Sequence, residues 1–178
     1  MAKLKSTQSA RRDKRNVRVG PSADKIALER FLPYRVSRIA DAVSQRFRHV
    51  YRAQFGLTVP EWRVLATLGQ FDQMTAKEIG LHSGMHKTKV SRAVAEMERR
   101  RWLLRQETPA DRRQEILMLT GAGRQAYAAI APRMLALERD LLVALGPTQS
   151  KNVLSALEAL ESKLGLNRRL REKHSAHR

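Results

Sequence analysis

Two groups of side chains in this chain have types and spacing that suggest chemistry. The first is the run Lys87-Thr-Lys-Val-Ser-Arg92, followed at a distance by Asp111-Arg-Arg113. Lysine offers a compact point charge, arginine a planar fork of donors, and serine and threonine small hydroxyls, a mixture that suits phosphates and the edges of bases. The second is a stripe at helical spacing, Phe31, Arg35, Arg38, Ala42, Arg46 and His49. It lines one helix flank with cationic or potentially cationic groups, either as a snorkelling edge paired with acids such as Asp41 or Glu61 or as an anion site. Covalent chemistry has no footing. The chain has no cysteine, so disulfides, thiolate ligands and thiol nucleophiles are excluded. There is no Gly-rich phosphate loop, HExxH helix or Gly-x-Ser-x-Gly elbow, and the acids are scattered. Neither an enzyme nor a bound cofactor is expected. His82 and His86 bracket a turn, and a zinc site needs further ligands, so no metal is expected either.

The elements that must position the first group follow from local signals. Thr75-Ala-Lys-Glu78 spells a capping box and starts a short helix with Ile79 and Leu81 on its apolar side. His82-Ser-Gly84-Met has the length and glycine of a tight inter-helix turn. A second helix then runs from Lys87 to Arg101 and turns Val90, Val94 and Met97 to the core. Lys87, Thr88, Lys89, Ser91 and Arg92 are left on or beside its outer face, and the unit over about 75–101 is a helix-turn-helix. Strand-like runs at 102–106 and 115–119 predict a hairpin wing over about 102–119, its tip carrying Asp111, Arg112 and Arg113. Asp111 would repel phosphate, so it is read as pairing with Arg113 and shaping the wing.

The flanking segments read as helices. Leu32, Val36, Ile39, Val43, Phe47 and Val50 mark the buried stripe of a helix over residues 25–55, stopped by Gly56. Pro60 suits the first turn of the next, with Trp62, Val64, Leu65 and Leu68 buried and an end near Gly69. Beyond the wing, Thr120 caps one or two helices through Tyr127, Ile130, Met134, Leu137, Leu141 and Leu145, kinked by Pro132. After a break at Gly146-Pro147-Thr148, Val153, Leu154, Leu157, Leu160 and Leu164 stripe a last helix.

Composition supplies the boundary conditions. The 178 residues carry 35 lysines and arginines against 17 acids, a formal charge of +18, with 42% hydrophobic residues. That is enough apolar material for a core, and a charge that attracts polyanions. Most of the excess lies in three segments: residues 1–20, 87–113 and 163–178. The two ends are polar, and we read residues 1–24 as a basic disordered extension and 167–178 as a basic tail. No apolar run of about 18 residues predicts a membrane span, and the basic start lacks the apolar segment of a secretory signal. A cytoplasmic location is the default expectation.

The order of elements, together with particular residues, carries a resemblance. Phe31-Leu-Pro-Tyr-Arg35, Leu57-Thr-Val-Pro-Glu-Trp62, the run Lys87-Thr-Lys-Val-Ser-Arg-Ala-Val94, and Asp111-Arg-Arg113 followed by Leu119-Thr-x-x-Gly123 resemble the MarR family of multiple-antibiotic-resistance-type regulators. The resemblance covers about four fifths of the chain. It implies a mainly α fold with a small β-hairpin wing, a winged helix-turn-helix over 25–166 flanked by dimerisation helices at 25–55 and 121–166. It implies a homodimer that reads a pseudo-palindromic operator in double-stranded DNA, half-sites about 34–36 Å apart, usually as a repressor. Arg92 is then the leading candidate for base readout, with Lys87, Thr88, Lys89 and Ser91 around it. Arg113, with Arg112 as second candidate, would enter the minor groove. The family's effector pocket would place Tyr34, Arg38 and Trp62 around an aromatic group and Arg35, Arg46 and His49 around charge. So many cations suggest a small anionic aromatic effector, either an aromatic acid or an aromatic acyl-coenzyme A thioester. One departure stands out: Arg101 occupies the place where the family commonly has a helix-ending glycine, which predicts either local backbone strain or a different helix ending. The competing class is a sequence-independent, nucleoid-type binder, which would need neither a capped helix-turn-helix nor an Asp-tipped wing.

Overall fold

The computed structural model of the chain describes residues 25–108 and 111–166, Thr108 and residues 111–114 through their backbone alone. The expected extension at 1–24 and tail at 167–178 lie outside the described residues. In order come α1 (Leu32–Phe55), α2 (Val59–Phe71), β1 (Gln73–Thr75), α3 (Ala76–Ser83), α4 (Lys87–Arg99), β2 (Leu103–Thr108), β3 (Asp111–Leu119), α5 (Gly121–Leu145) and α6 (Pro147–Lys163). Two compact units divide the chain after Ile39, so α1 begins in the first and ends in the second.

In the first unit, the helix starts later than its apolar period suggests. A turn precedes it, in which the Ala27 carbonyl accepts from the N–H groups of Arg30 and Phe31 at 3.0 Å each. Pro33 explains the boundary, having no N–H to give and fitting only a helix's first turn. The stripe itself is mostly uncovered. Leu32, Val36, Ile39 and Val43 are exposed, Phe47 and Val50 are half-buried, and Tyr51 is the buried residue of α1.

The second unit has its core where α2, α3 and α4 pack on a three-stranded sheet of order β1-β3-β2. Val64, Leu65, Leu68, Ile79, Val90, Val94, Met97 and Leu117 are almost wholly buried. β1 is too short to show a period; it pairs Met74 with Leu117 on β3, while β2 pairs Leu103 with Leu119. Leu81 is 55% exposed, contrary to expectation. Lying two residues from Ile79, it cannot share that residue's helix face.

Two glycines are there for close approach. α2 does not end at Gly69 but continues to Phe71, and a Cβ on Gly69 would lie 2.6 Å from the Tyr127 ring. At the start of α5, Gly123 donates its N–H to the Thr120 hydroxyl at 3.1 Å, and a Cβ there would lie 2.1 Å from the Trp102 carbonyl oxygen. The element after the wing is one helix, Gly121–Leu145, with Pro132 inside it. The Ser150 hydroxyl, 2.6 Å from the Leu142 carbonyl, ties α6 back to α5. The stripe of α6 (Val153, Leu154, Leu157, Leu164) is exposed.

Of the two outcomes expected at Arg101, backbone strain is the one present. Its φ is +59°, in the left-handed region, and the bonds around it close a Schellman motif: Arg101 N–H to the Glu98 carbonyl at 2.8 Å and Trp102 N–H to that of Met97 at 3.0 Å. The same motif closes α6, where Gly165 (φ +69°) holds the left-handed position. The conformation costs a residue with a Cβ about 1–2 kcal/mol. Glycine's extra freedom in the unfolded chain returns about 0.4–1 kcal/mol of that. Arg101→Gly is therefore expected to raise stability by about 0.5–1 kcal/mol, seen as a higher urea midpoint. A lower midpoint would mean that the arginine side chain stabilises more than its backbone costs.

Candidate nucleic-acid interface

The turn between α3 and α4 is built by Gly84, which takes φ +66° and lets the Met85 N–H reach the Gly80 carbonyl at 3.0 Å. Met85 is buried, so the chain enters α4 with its back to the core. The Thr75 box caps α3 as expected: the Glu78 N–H reaches the Thr75 hydroxyl at 3.2 Å and the Thr75 N–H reaches Glu78 Oε2 at 2.9 Å. His86 caps α4, its Nδ1 accepting from the Thr88 N–H at 3.4 Å.

α4 then divides cleanly. Val90, Ala93, Val94 and Met97 are buried, while Lys87, Thr88, Lys89, Ser91 and Arg92 are all exposed in the first two turns. All five expected contact residues of the helix thus share one accessible end. Among the described residues no carboxylate pairs with Lys87, Lys89 or Arg92. The arginines farther along differ. Arg99 and Arg100 both hold Glu96, at 2.7 Å and 2.8 Å through their Nε atoms. Those two bonds, Arg99's first, draw the Glu96 carboxyl down to about 2. Among the described residues α4 is therefore graded, with cations that no carboxylate pairs at its start and the ion-paired Arg99 and Arg100 at its end.

The wing is fixed to this helix by a residue that the sequence reading counted only as charge. Arg105 on β2 grips Glu98 of α4 with Nε and Nη2, at 2.6 Å and 2.9 Å, and Glu115 of β3 with Nη1 at 2.6 Å. Hydrogen bonds to Glu98 and then Glu115 push its already high pKa higher. The strands also run farther than expected, to Thr108 and from Asp111, which pair across the bulge after Glu107. Asp111, Arg112 and Arg113 thus begin β3 instead of sitting in the loop, held there by backbone pairing with β2 that no apolar alternation in Asp111-Arg-Arg-Gln114 announces. Their side chains, and so the expected Asp111–Arg113 pair, lie outside the described residues.

The expected effector residues divide between the two units. In the first, the Arg38 guanidinium carbon is 5.9 Å from the centre of the Tyr34 ring, and Tyr34, Arg35 and Arg38 are exposed. In the second, Arg46 and His49 are exposed, and His49 Nδ1 lies 2.6 Å from the Arg46 carbonyl. Trp62 is half-buried and stacked between two rings, Tyr51 at 5.5 Å and Tyr127 at 6.5 Å between centroids. Sequence reading gave Tyr51 no role and placed Tyr127 only on a stripe. Burial raises the Tyr51 pKa, against the opposing charges of Arg48 and Arg63. His82 packs edge-on to Phe71 at 4.9 Å, and burial lowers its pKa; it serves packing.

Comparison with known proteins agrees with this geometry. The MarR family model matches residues 55–114, from the end of α1 to the wing. The HTH-type transcriptional regulator YwoH of Bacillus subtilis (strain 168) is 32% identical over 88 residues, 49% of this chain and 64% of that protein. The chain therefore spans just under two thirds of that relative's length. NadR, solved in complex with 4-hydroxyphenylacetate, shares the fold at 18% identity, with a TM-score of 0.67 over 82% of this chain and 97% of its own. The MarR family transcriptional regulator SPO1453 from Silicibacter pomeroyi DSS-3 superposes with a TM-score of 0.69 and is 31% identical, over 79% of this chain and 99% of its own. Identity at that level along nearly the whole of a solved regulator, on the same winged scaffold, makes this chain a member of the MarR family of transcriptional regulators.

Proposed function

We propose that the chain is a homodimeric, sequence-specific DNA-binding regulator in which α4 enters the major groove and the wing flanks it. One observation carries the reading. The cations and hydroxyls of Lys87, Thr88, Lys89, Ser91 and Arg92 are exposed together at the start of a helix whose other face is buried. Arg92 reads a base edge, the two lysines and hydroxyls meet phosphates and neighbouring bases, and Arg113 or Arg112 reaches the minor groove. A second copy buries apolar side chains that the described residues of one chain leave exposed, such as Ile39 on α1 and Leu157 on α6. Two copies impose two-fold symmetry on the site. Selection from random duplex DNA tests this. A recovered inverted repeat with half-sites about one helical turn apart is the expected result; recovery of no common sequence would leave a sequence-independent binder.

We further propose that this regulator is a repressor, released by a small anionic aromatic compound. The support is the helical spacing of the cations Arg35, Arg38, Arg46 and His49 in the sequence and the exposure of all four. NadR binds a molecule of this class, 4-hydroxyphenylacetate. Titrating the selected DNA complex with that acid and with its coenzyme A thioester separates the two forms. Release by neither removes this part of the proposal.

A further inference from the structure

Arg100 lies near the end of α4, yet its bonds leave the helix in several directions. Its Nη1 donates to the Phe55 carbonyl at 2.6 Å and its Nη2 to that of Gly56 at 3.4 Å. These are carbonyls at the C-terminal end of α1, a position that lacks intrahelical donors. Its Nε holds Glu96 at 2.8 Å. Glu61, 3.9 Å from Nη2, is the buried carboxylate that completes the Thr58 capping box of α2. The guanidinium also lies over Trp102, 5.6 Å from the ring centroid, and Trp102 meets Phe55 edge-on. One side chain therefore joins the end of α1, the cap of α2 and the end of α4.

We propose that Arg100 is a positioning residue for DNA recognition, setting the angle at which α4 presents Lys87 to Arg92. The inference rests on α4 being the reading helix. The apolar contacts of Val90, Ala93, Val94 and Met97 hold the inner face of α4 against the core. Such contacts are non-directional and permit small tilts. Directional bonds at one end remove that freedom. With 13 residues, α4 is about 20 Å long. A displacement of its Arg100 end pivots about the buried middle and reappears at the Lys87 end with opposite sign. Arg100 touches no base. Its effect falls on which sites, and which half-site spacing, the dimer prefers.

The test compares the full-length wild type with Arg100→Met and Arg100→Lys on selected and random duplexes, below the unfolding temperature of each. Methionine keeps much of the stem and loses the fork; lysine keeps the charge but cannot reach two carbonyls and a carboxylate together. Both variants are expected to lose about tenfold in the ratio of specific to non-specific affinity and to accept a wider range of half-site spacings. Their affinity for random DNA should change less than about twofold, because the Arg100 guanidinium already stands between two carboxylates, Glu96 and Glu61. A purely structural role would lower the unfolding temperature and leave ratio and spacing as in wild type, which overturns the proposal. So does full recovery of the ratio by lysine. If the methionine variant does not fold, the lysine variant decides alone. A wild type that selects no sequence overturns the reading of α4 itself, and this proposal with it.

Discussion

Replacing Gly123 by alanine is expected to destabilise the chain by about 3 kcal/mol, the upper end of what overpacking costs. The added Cβ would stand 2.1 Å from the Trp102 carbonyl oxygen and 3.0 Å from its carbon. A flexible side chain would move aside; this carbonyl is pinned. It accepts the Thr120 N–H at 3.0 Å, while the neighbouring Arg101 carbonyl accepts the Thr120 hydroxyl at 2.7 Å and the Trp102 N–H bonds to Met97 at 3.0 Å. Relief therefore means lifting the start of α5 from the junction of α4 and β2. The check is the urea midpoint of Gly123→Ala against that of Gly121→Ala, since nothing lies within 4 Å of a Cβ on Gly121. Equal midpoints for the two variants would show that the contact is not as close as described. The contact also gives the Leu119-Thr-x-x-Gly123 signature a physical reason: Thr120 caps the helix and Gly123 makes room for the backbone it lands on.

Arg92→Ala is expected to weaken binding to the selected operator by about 1–3 kcal/mol and to broaden the base tolerated at one position of each half-site. Arg92 is exposed on the first two turns of α4, with no acid partner among the described residues to hold its fork. A planar fork can satisfy two acceptors on one guanine, and its loss leaves those acceptors facing a methyl group. Lys89→Ala makes the comparison, because a phosphate contact weakens all sequences alike and lowers the salt slope by about one. Parallel losses on operator and random DNA would reduce Arg92 to a second phosphate contact.

What the sequence discloses, and what it withholds, follows the range of the forces involved. Thr75 with Glu78, Gly84, and the buried spacing of Val90, Val94 and Met97 are local, and each appears where the chain alone places it. Thr58 with Glu61 spells the same box in the same letters and was equally readable. Arg101 shows how an unsuitable residue can be recognised by the position it fills. The start of α1 needed only a heavier weight on Pro33. Gly69, by contrast, carries no local mark that separates a helix stop from a seat for Tyr127, a residue 58 positions away in sequence. The bonds of Arg100 to Phe55 and of Arg105 to Glu98 and Glu115 are also tertiary, so a count of charges blends these held arginines with the cations that no described carboxylate pairs. The stripes of α1 and α6 are a further case. Periodicity says that a face must be covered without saying by which molecule, and along most of their length no other described residue covers them.

The chain has two tryptophans, and both stand against the last turns of α1. Trp62 lies flat on Tyr51, and Trp102 meets Phe55 edge-on beneath the Arg100 guanidinium. An indole's emission depends on the groups that touch it, and here each indole touches the same helical segment from a different element. Any shift of that segment changes the surroundings of both at once. The molecule therefore carries an unlabelled optical gauge of where α1 ends, readable in dilute solution while DNA or a small molecule is added.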